Sequence, residues 1–188
     1  MLRKLEYLDW PRAHKGRVRW DLAKSNIQAL TAQDLGLRLE DVQLLPPHEE
    51  GSPELRELLS RRYGLPASQI LLCSGATMGI HLAAGALLEP GQGALVESPV
   101  YEPLLRNCQE RGAVLRPLER RFERGWQIEL EEVERSIGRD TRAVFLTNTH
   151  NPSGAATGPE KLQSLGQIAR DAGATVVVSE AYLDSALV

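Results

Sequence analysis

The sequence is poor in lysine, cysteine and aromatic residues. Aromatic residues make up 5% of the chain, and arginine supplies most of its 22 basic residues. The two cysteines, Cys73 and Cys108, fit neither the spacing of a metal site nor a disulfide framework. We therefore expect both to be buried thiols in a reducing compartment. The only lysines are Lys4, Lys15, Lys24 and Lys161.

Long apolar runs and a basic surface are also lacking. No stretch is long and apolar enough to cross a membrane, and the charged N-terminus does not have the apolar region of a secretory signal. The net charge of -3 argues against nucleic acid as the main partner, because phosphate binding needs a basic face. No spacing of His, Cys, Asp or Glu suggests a metal site. The expected location is the cytoplasm.

What the chain does contain is enough apolar sequence for a core. Hydrophobic residues make up 42% of the 188 residues and charged residues 25%, which is typical of a globular protein. This length corresponds to one domain, or to one domain and part of another. Residues 116–124 are rich in arginine and glutamate, and we expect them to form a solvated face.

The order of apolar and helical segments predicts the fold class. Residues 1–45 are irregular and predict an extended arm, and residues 46–51 a turn-rich link. Ser52 and Pro53 then open a helix whose apolar face would be formed by Leu55, Leu58 and Leu59. Predicted strands follow at residues 70–73, 94–97, 114–118, 143–147 and 175–179. Predicted helices lie between them, at residues 78–88, 101–111, 130–137 and 159–172.

This alternation indicates βαβ units. Short apolar strands separated by helices predict an α/β fold, with a mostly parallel sheet covered on both faces in a three-layer αβα arrangement. Ligands of such sheets bind beyond the carboxyl ends of the strands. The residues that follow each predicted strand are therefore the candidate site.

The turn after the first predicted strand is a candidate phosphate seat. Gly75 permits a tight turn and Ala76 keeps the approach open, while Thr77 adds a hydroxyl group at the start of a helix. Helix N-termini bind anions through free N–H groups and the helix dipole. A capped helix with no ligand is the alternative interpretation.

Three further turns carry side chains suited to a flat ligand. Tyr101 could stack on a ring, or it could be a half-buried helix start. The segment of residues 147–154 contains two Asn, one Pro and one Gly, which predicts a rigid turn that aims the Asn151 amide at a ligand oxygen. Tyr182 would bring a phenol to the same crevice. His150 could touch the ligand or serve only the loop.

Taken in order, these four turns resemble the class I/II aminotransferases of pyridoxal-phosphate (PLP) fold type I, from about Asn26 onward. The resemblance makes Gly75, Ala76 and Thr77 the phosphate cup, and it places Tyr101 on the pyridine ring. Residues 149–154 are similar to the family's Asn-Pro-x-Asn-Pro-Thr-Gly signature. By that match Asn151 and Tyr182 would bond the phenolic oxygen of the cofactor. Residues 1–45 would be an N-terminal arm or small-domain segment, and residues 46–188 part of the large PLP-binding domain.

The sequence departs from the family pattern in several places. Ser179 stands where the family has the Asp that pairs with the pyridine nitrogen and keeps PLP a strong electron sink. Residues 44–48 lack the Tyr that in the family reaches the phosphate of the partner subunit. Thr149 and Ser153 are mild replacements for Pro and Thr. The Schiff-base lysine and the carboxylate-binding arginine would lie beyond Val188, so we expect these 188 residues alone not to transaminate.

The resemblance implies an aminotransferase of which this chain is the N-terminal portion. The full-length protein would be a homodimer that transfers an amino group from an amino acid to a 2-oxo acid. The alternative is a non-catalytic PLP-fold protein that binds a PLP-like ligand, which Ser179 favours. A nucleotide-binding Rossmann domain is disfavoured, because no G-x-G-x-x-G follows the first predicted strand.

Overall fold

A computed structural model describes residues 5–14, 16–17, 19–20, 29–42 and 51–185. The chain divides into two compact units, Met1–Leu72 and Cys73–Val188. The predicted boundary after residue 45 is not tested by this division and stays a prediction. Most of the predicted link at residues 46–51, and all of the segment 44–48 that lacks the family's Tyr, lie outside the described residues.

The described part of the first unit is helical. Helix α1 spans Glu6–His14 and helix α2 spans Pro53–Tyr63, with short 3-10 turns at Leu39–Asp41 and Ala67–Gln69. As predicted, Ser52 caps α2, because its side chain accepts a hydrogen bond from the N–H of Leu55. The predicted apolar face of α2 has no buried residue in this structure.

The predicted strand at residues 70–73 is wrong. These residues are in no strand, and the Leu71 side chain is 72% exposed. A strand forms only with a hydrogen-bonded neighbour, and a short apolar run does not reveal whether one is available. The first strand of the chain as described therefore comes after α3.

The second unit is an alternation of helices and strands. Its helices are α3 (Gly75–Leu87), α4 (Glu102–Glu110), α5 (Leu130–Ser136) and α6 (Pro159–Asp171). Its strands are β1 (Gly93–Ser98), β2 (Val114–Glu119), β3 (Thr141–Thr147) and β4 (Thr175–Ser179). Two 3-10 turns, Phe122–Arg124 and Leu183–Ser185, complete the unit. The four strands and the four helices agree with the predicted positions to within about three residues at each end.

The strands form one parallel sheet in the order β2-β1-β3-β4. The helix between each two successive strands returns the chain to the edge where the strands begin, so all four strands run in one direction. The register shifts between Gly93 and Ala94, where β1 meets β3. A β-carbon on Gly93 would lie 2.6 Å from Nη1 of Arg116 and 3.2 Å from Cα of Thr141, and this close approach favours glycine.

Helices cover both faces of the sheet, as predicted for a three-layer αβα fold. Successive residues of a strand point to opposite faces, and the apolar residues of β1 and β3 accordingly divide between two cores. The core shared with α3 and α4 contains Ile80, Ala84, Leu88, Ala94, Val96, Leu104, Cys108, Ala143 and Phe145. The core shared with α5 and α6 contains Leu95, Leu118, Ile128, Val133, Val144, Leu146, Leu165 and Ala169.

Candidate functional site

The carboxyl ends of the strands meet at one edge of the sheet. Thr147 at the end of β3 pairs with Ser179 at the end of β4, and Ser98 at the end of β1 pairs with Glu119 of β2. The loops that leave β1, β3 and β4 at this edge carry Tyr101, Asn151 and Tyr182, as predicted. The candidate residues on these loops therefore start from neighbouring positions.

The N-terminus of α3 has the properties of an anion seat. The helix begins at Gly75, earlier than predicted, so Gly75, Ala76 and Thr77 lie in its first turn and are exposed. Gly75 has a φ of +79°, which favours glycine, and no atom lies within 4 Å of where its β-carbon would be. The preceding Ser74 makes no side-chain cap hydrogen bond. The N–H of Gly75 donates to the carbonyl of Cys73 at 3.0 Å, and the N–H groups of Ala76 and Thr77 are left for another acceptor.

Thr77 and Tyr101 come together. Their hydroxyl oxygens lie 3.4 Å apart, a long contact in which either can donate. Tyr101 is half-buried at the N-cap of α4. The predicted phosphate turn and the predicted stacking residue are therefore adjacent, although they are separated by a helix and a strand in the sequence.

His150 joins the loop after β3 to the loop after β1. Its Nε2 lies 2.9 Å from the carbonyl oxygen of Pro99, and its Nδ1 lies 2.6 Å from Oγ of Ser153. A carbonyl only accepts, so Nε2 carries the proton and Nδ1 accepts from the serine hydroxyl. Burial lowers the pKa of His150, which keeps the ring neutral. Of the two roles left open by the sequence, the structure assigns the loop role.

The loop after β3 is closed by its own asparagine. The side chain of Asn148 donates to the carbonyl of Thr157 and accepts from the N–H of Thr157, at 3.2 and 2.8 Å. Its backbone N–H donates to the carbonyl of Ser179, at 3.0 Å. The backbone N–H of Asn151 donates to Oγ1 of Thr147 at 2.8 Å. Within the described part of the chain, no hydrogen bond is made by the side-chain amide of Asn151, which is therefore available to a ligand.

Ser179 and Tyr182 lie at the end of β4 and just beyond it. Both are half-buried, and the intervening Glu180 is exposed. Three hydrogen-bonded contacts connect the four turns in series. They are Thr77 with Tyr101, the carbonyl of Pro99 with His150, and the N–H of Asn148 with the carbonyl of Ser179. The sequence had predicted the members of this group but not the contacts that join them.

A buried ion pair at this edge was missed by the sequence analysis. Arg120 is 2% exposed and Glu97 is 1% exposed, so the predicted solvated face at residues 116–124 is wrong for Arg120. Nε of Arg120 lies 2.9 Å from Oε2 of Glu97, at an angle unfavourable for a hydrogen bond. Arg120 also donates to the carbonyls of Trp126 and Thr147. The available signal was Glu97 itself, a charged residue in an otherwise apolar strand, which needs a partner when buried.

Burial dominates the protonation of this pair. Desolvation raises the pKa of Glu97 to about 7, against the opposing effects of the Arg120 charge and of two hydrogen bonds from Thr147. The carboxyl group nevertheless faces only donor groups, those of Thr147 and Arg120. The Glu97 carboxyl group is therefore a candidate for fixing the loop that follows β3.

The two cysteines differ in exposure. Cys108 is buried, and burial raises its pKa to about 12. Cys73 is exposed, next to the turn that opens α3, so the expectation that both thiols are buried is wrong. Its exposure follows from the absence of a strand at residues 70–73.

Among the described residues, no group of three or more His, Cys, Asp or Glu side chains could hold a metal ion. No helix in that part of the chain is long and apolar enough to span a membrane.

Known structures share this fold. A PLP-dependent aminotransferase from Streptococcus suis superposes with a TM-score of 0.84 at 28% identity, over 92% of this chain and 49% of that chain. An aspartate aminotransferase mutant of Thermus thermophilus gives a TM-score of 0.66 at 26% identity, over 69% of this chain and 37% of that chain.

Curated relatives give the same result by sequence. A probable N-succinyldiaminopimelate aminotransferase of Mycobacterium tuberculosis is 30% identical over 75% of this chain and 37% of its own length. A probable aspartate/prephenate aminotransferase of Aquifex aeolicus is 27% identical over 70% of this chain and 35% of its own length. The chain thus spans about a third of the length of these relatives.

The match to a family model covers most of the chain. Residues 30–187 fit the model described as aminotransferase class I and II, a family whose cofactor is PLP. This agrees with the α/β fold and with the order of the four turns at the carboxyl edge of the sheet. The chain belongs to the aminotransferase class I and II family.

Proposed function

We propose that the protein is a PLP-dependent aminotransferase, and that this chain supplies most of the cofactor's binding shell. The reaction would move an amino group from an amino acid to a 2-oxo acid. The observation that carries the proposal is the series of contacts that joins the four turns at the carboxyl edge of the sheet. Because those turns hold one another in place, their side chains would form one site.

The start of α3 would hold the phosphate group. Ala76 and Thr77 would present uncapped N–H groups, and Thr77 a hydroxyl, at the positive end of the helix dipole, after the tight turn at Gly75. The open space at Gly75 leaves room for phosphate oxygens. These features fit the cofactor's most highly charged group.

The other three turns would hold the ring. Tyr101 would stack on the pyridine face, while Asn151 and Tyr182 would donate hydrogen bonds to the phenolic oxygen. The Asn151 amide fits this role because none of the described residues occupies it. When bound, PLP supplies an electron sink that stabilises negative charge on the substrate's α-carbon. The protein's part is to orient the ring and to hold protons at the ring oxygen and nitrogen.

Ser179 would face the pyridine nitrogen. A serine hydroxyl cannot hold a proton there by charge, as the family's Asp does, so it would weaken the electron sink. This one substitution supports the alternative function, a non-catalytic PLP-fold protein that binds the cofactor or a similar ligand.

Remaining parts of the proposal concern the protein beyond these residues. Lys161, the one lysine in the described residues, lies in the first turn of α6 and not in a turn at the carboxyl edge. The Schiff-base lysine would come from a part of the protein beyond this chain. We expect the full-length protein to be a cytoplasmic homodimer, as the resemblance implies. Its amino-acid substrate is open, since the relatives differ in theirs.

The test uses the complete gene product. PLP is added, the visible absorption of the bound cofactor is recorded, and transfer is assayed with a panel of amino acids and 2-oxo acids. Borohydride reduction followed by peptide mapping identifies the modified lysine. Transfer with a lysine-linked cofactor supports the aminotransferase. Cofactor binding without transfer supports the non-catalytic alternative, and absence of binding contradicts both.

Ser179→Asp separates the two functions further. If the serine weakens the electron sink, this variant transaminates faster than the unmodified protein. Ser164→Asp introduces the same charge at an exposed position of α6 and should change neither the spectrum nor the rate. Unchanged spectra and rates in Ser179→Asp would show that Ser179 does not face the pyridine nitrogen.

A further inference from the structure

The ends of three neighbouring strands share one buried polar network. Glu97 is the penultimate residue of β1, Thr147 is the last residue of β3, and Arg120 directly follows β2. All three are buried, with exposed fractions of 1%, 4% and 2%. None of the three is among the predicted ligand contacts.

The network has a direction that follows from its donors and acceptors. Oε1 of Glu97 accepts from the backbone N–H of Thr147 at 2.7 Å and from its hydroxyl at 2.6 Å. The hydroxyl has one proton and gives it to Glu97, so its oxygen presents a lone pair to the next donor. That donor is the backbone N–H of Asn151, at 2.8 Å. One hydroxyl thus links the Glu97 carboxylate to the Asn151 backbone.

Arg120 holds the other end of the network. It places positive charge 2.9 Å from Oε2 of Glu97, and its second Nη donates to the carbonyl of Thr147 at 3.4 Å. A buried carboxylate without a counter-charge would protonate, and it would then compete with the Thr147 hydroxyl as a donor. Arg120 therefore favours the form of Glu97 that only accepts.

Stability alone does not explain such a pair. A well-packed apolar pair at this position would stabilise the fold as well, or better. What an ion pair adds is directionality, and here the direction leads to Asn151. We propose that Glu97, Arg120 and Thr147 are positioning residues that fix the Asn151 turn, and through it the amide that would bind the cofactor's phenolic oxygen. The link to the cofactor rests on the proposed function, whereas the fixing of the turn does not.

Thr147→Val tests the central contact. Valine keeps the shape of threonine but removes the hydroxyl between Glu97 and Asn151, and Thr147→Ser keeps that hydroxyl. Thr157→Val is the matched control, because Thr157 is buried in the same loop and its Oγ1 has no hydrogen-bond partner. All variants are made in the complete gene product.

The first measurement needs no cofactor. Hydrogen exchange at the backbone N–H of Asn151 should be faster in Thr147→Val by roughly 2- to 12-fold, the loss of one hydrogen bond. Exchange should return to the original rate in Thr147→Ser and be unchanged in Thr157→Val. Equal exchange in Thr147→Val and the unmodified protein would overturn the proposal, whatever the protein's function.

The second measurement addresses the cofactor. The pH at which the visible band of bound PLP titrates should rise in Thr147→Val and in Asn151→Ala, by roughly 0.4 to 1 pH unit, because the phenolate loses a donor. The double variant should rise no further than Asn151→Ala. A change in Asn151→Ala without one in Thr147→Val overturns the positioning role. Faster exchange in Thr147→Val together with no effect of Asn151→Ala on PLP leaves the fixed turn intact and contradicts the proposed function.

Discussion

Removal of Arg120 should be among the most destabilising single changes in this chain. In Arg120→Leu the Glu97 carboxyl loses the positive charge 2.9 Å away and stays buried. Breaking a buried pair from one side costs about 3–5 kcal/mol, because the remaining carboxyl group must either stay charged without a counter-charge or take up a proton. For a chain of this length each kcal/mol lowers Tm by about 2–4 °C. The expected fall in Tm is therefore roughly 6–20 °C.

The assay is thermal and urea unfolding at about pH 8, where Glu97 of the unmodified protein is ionised. Arg121→Leu is the matched control, since the neighbouring Arg121 makes an exposed salt bridge with Glu119, with side chains 61% and 52% exposed. Surface pairs of this kind contribute about 0–1 kcal/mol. The double variant Glu97→Leu with Arg120→Leu should recover most of the loss, because it buries no charge.

The dependence on pH sharpens this prediction. At about pH 5, below the Glu97 pKa of about 7, the carboxyl group is protonated with or without Arg120, so the loss of stability should be smaller than at about pH 8. If Arg120→Leu costs no more than Arg121→Leu at either pH, the buried pair does not hold this edge of the sheet. The interpretation of the Glu97 network would then be wrong.

Three other predictions follow from separate features. The folded-state pKa of Glu97, about 7, lies above its ordinary value of 4.5, so the stability it contributes is full below pH 4.5 and lost as pH rises through 7. The difference between these two pKa values corresponds to about 3 kcal/mol of stability. Glu97→Gln should remove this contribution from the pH dependence of urea unfolding. Equal pH profiles of the two proteins would contradict the raised pKa of Glu97. Gly93→Ala should cost about 1–3 kcal/mol of unfolding free energy, because the new β-carbon would lie 2.6 Å from Nη1 of Arg116 and 3.2 Å from Cα of Thr141. Gly85→Ala, in open space in α3, should be neutral or stabilising. Gly75→Ala should strain the left-handed turn by about 1–2 kcal/mol and weaken PLP binding in equilibrium dialysis. The control Gly85→Ala should leave the affinity for PLP unchanged. Equal affinities of the two variants would exclude Gly75 from the phosphate seat.

Local patterns in the sequence predicted most of the fold of the second unit. The strands β1 to β4 are apolar runs bounded by turn residues, and runs of that kind show strands without knowledge of their partners. The run at residues 70–73 has the same composition and forms no strand, because pairing depends on neighbours distant in sequence. An apolar composition shows that a segment could form a buried strand. Whether the strand forms depends on an available neighbour in the sheet.

The candidate site was predictable in its members and not in its connections. Gly75, Tyr101 and Asn151 each follow or flank a turn whose residue types suggested a ligand. The bond between His150 and Pro99 and the pairing of Glu97 with Arg120 join segments that are far apart in the sequence. A charge-rich stretch is usually solvated, so nothing local distinguished Arg120 from its exposed neighbours.

The unequal burial of the two thiols provides a natural labelling handle. The thiolate is the reactive form, so Cys108, buried and with its pKa raised to about 12, resists alkylation while the protein is folded. Cys73 is exposed, and its sulfur lies 3.7 Å from the carbonyl oxygen of Gly75. Within these 188 residues, a maleimide dye would therefore attach at a single position, directly beside the turn that opens α3. Its fluorescence would report on anions arriving there, and a second labelled thiol would report unfolding.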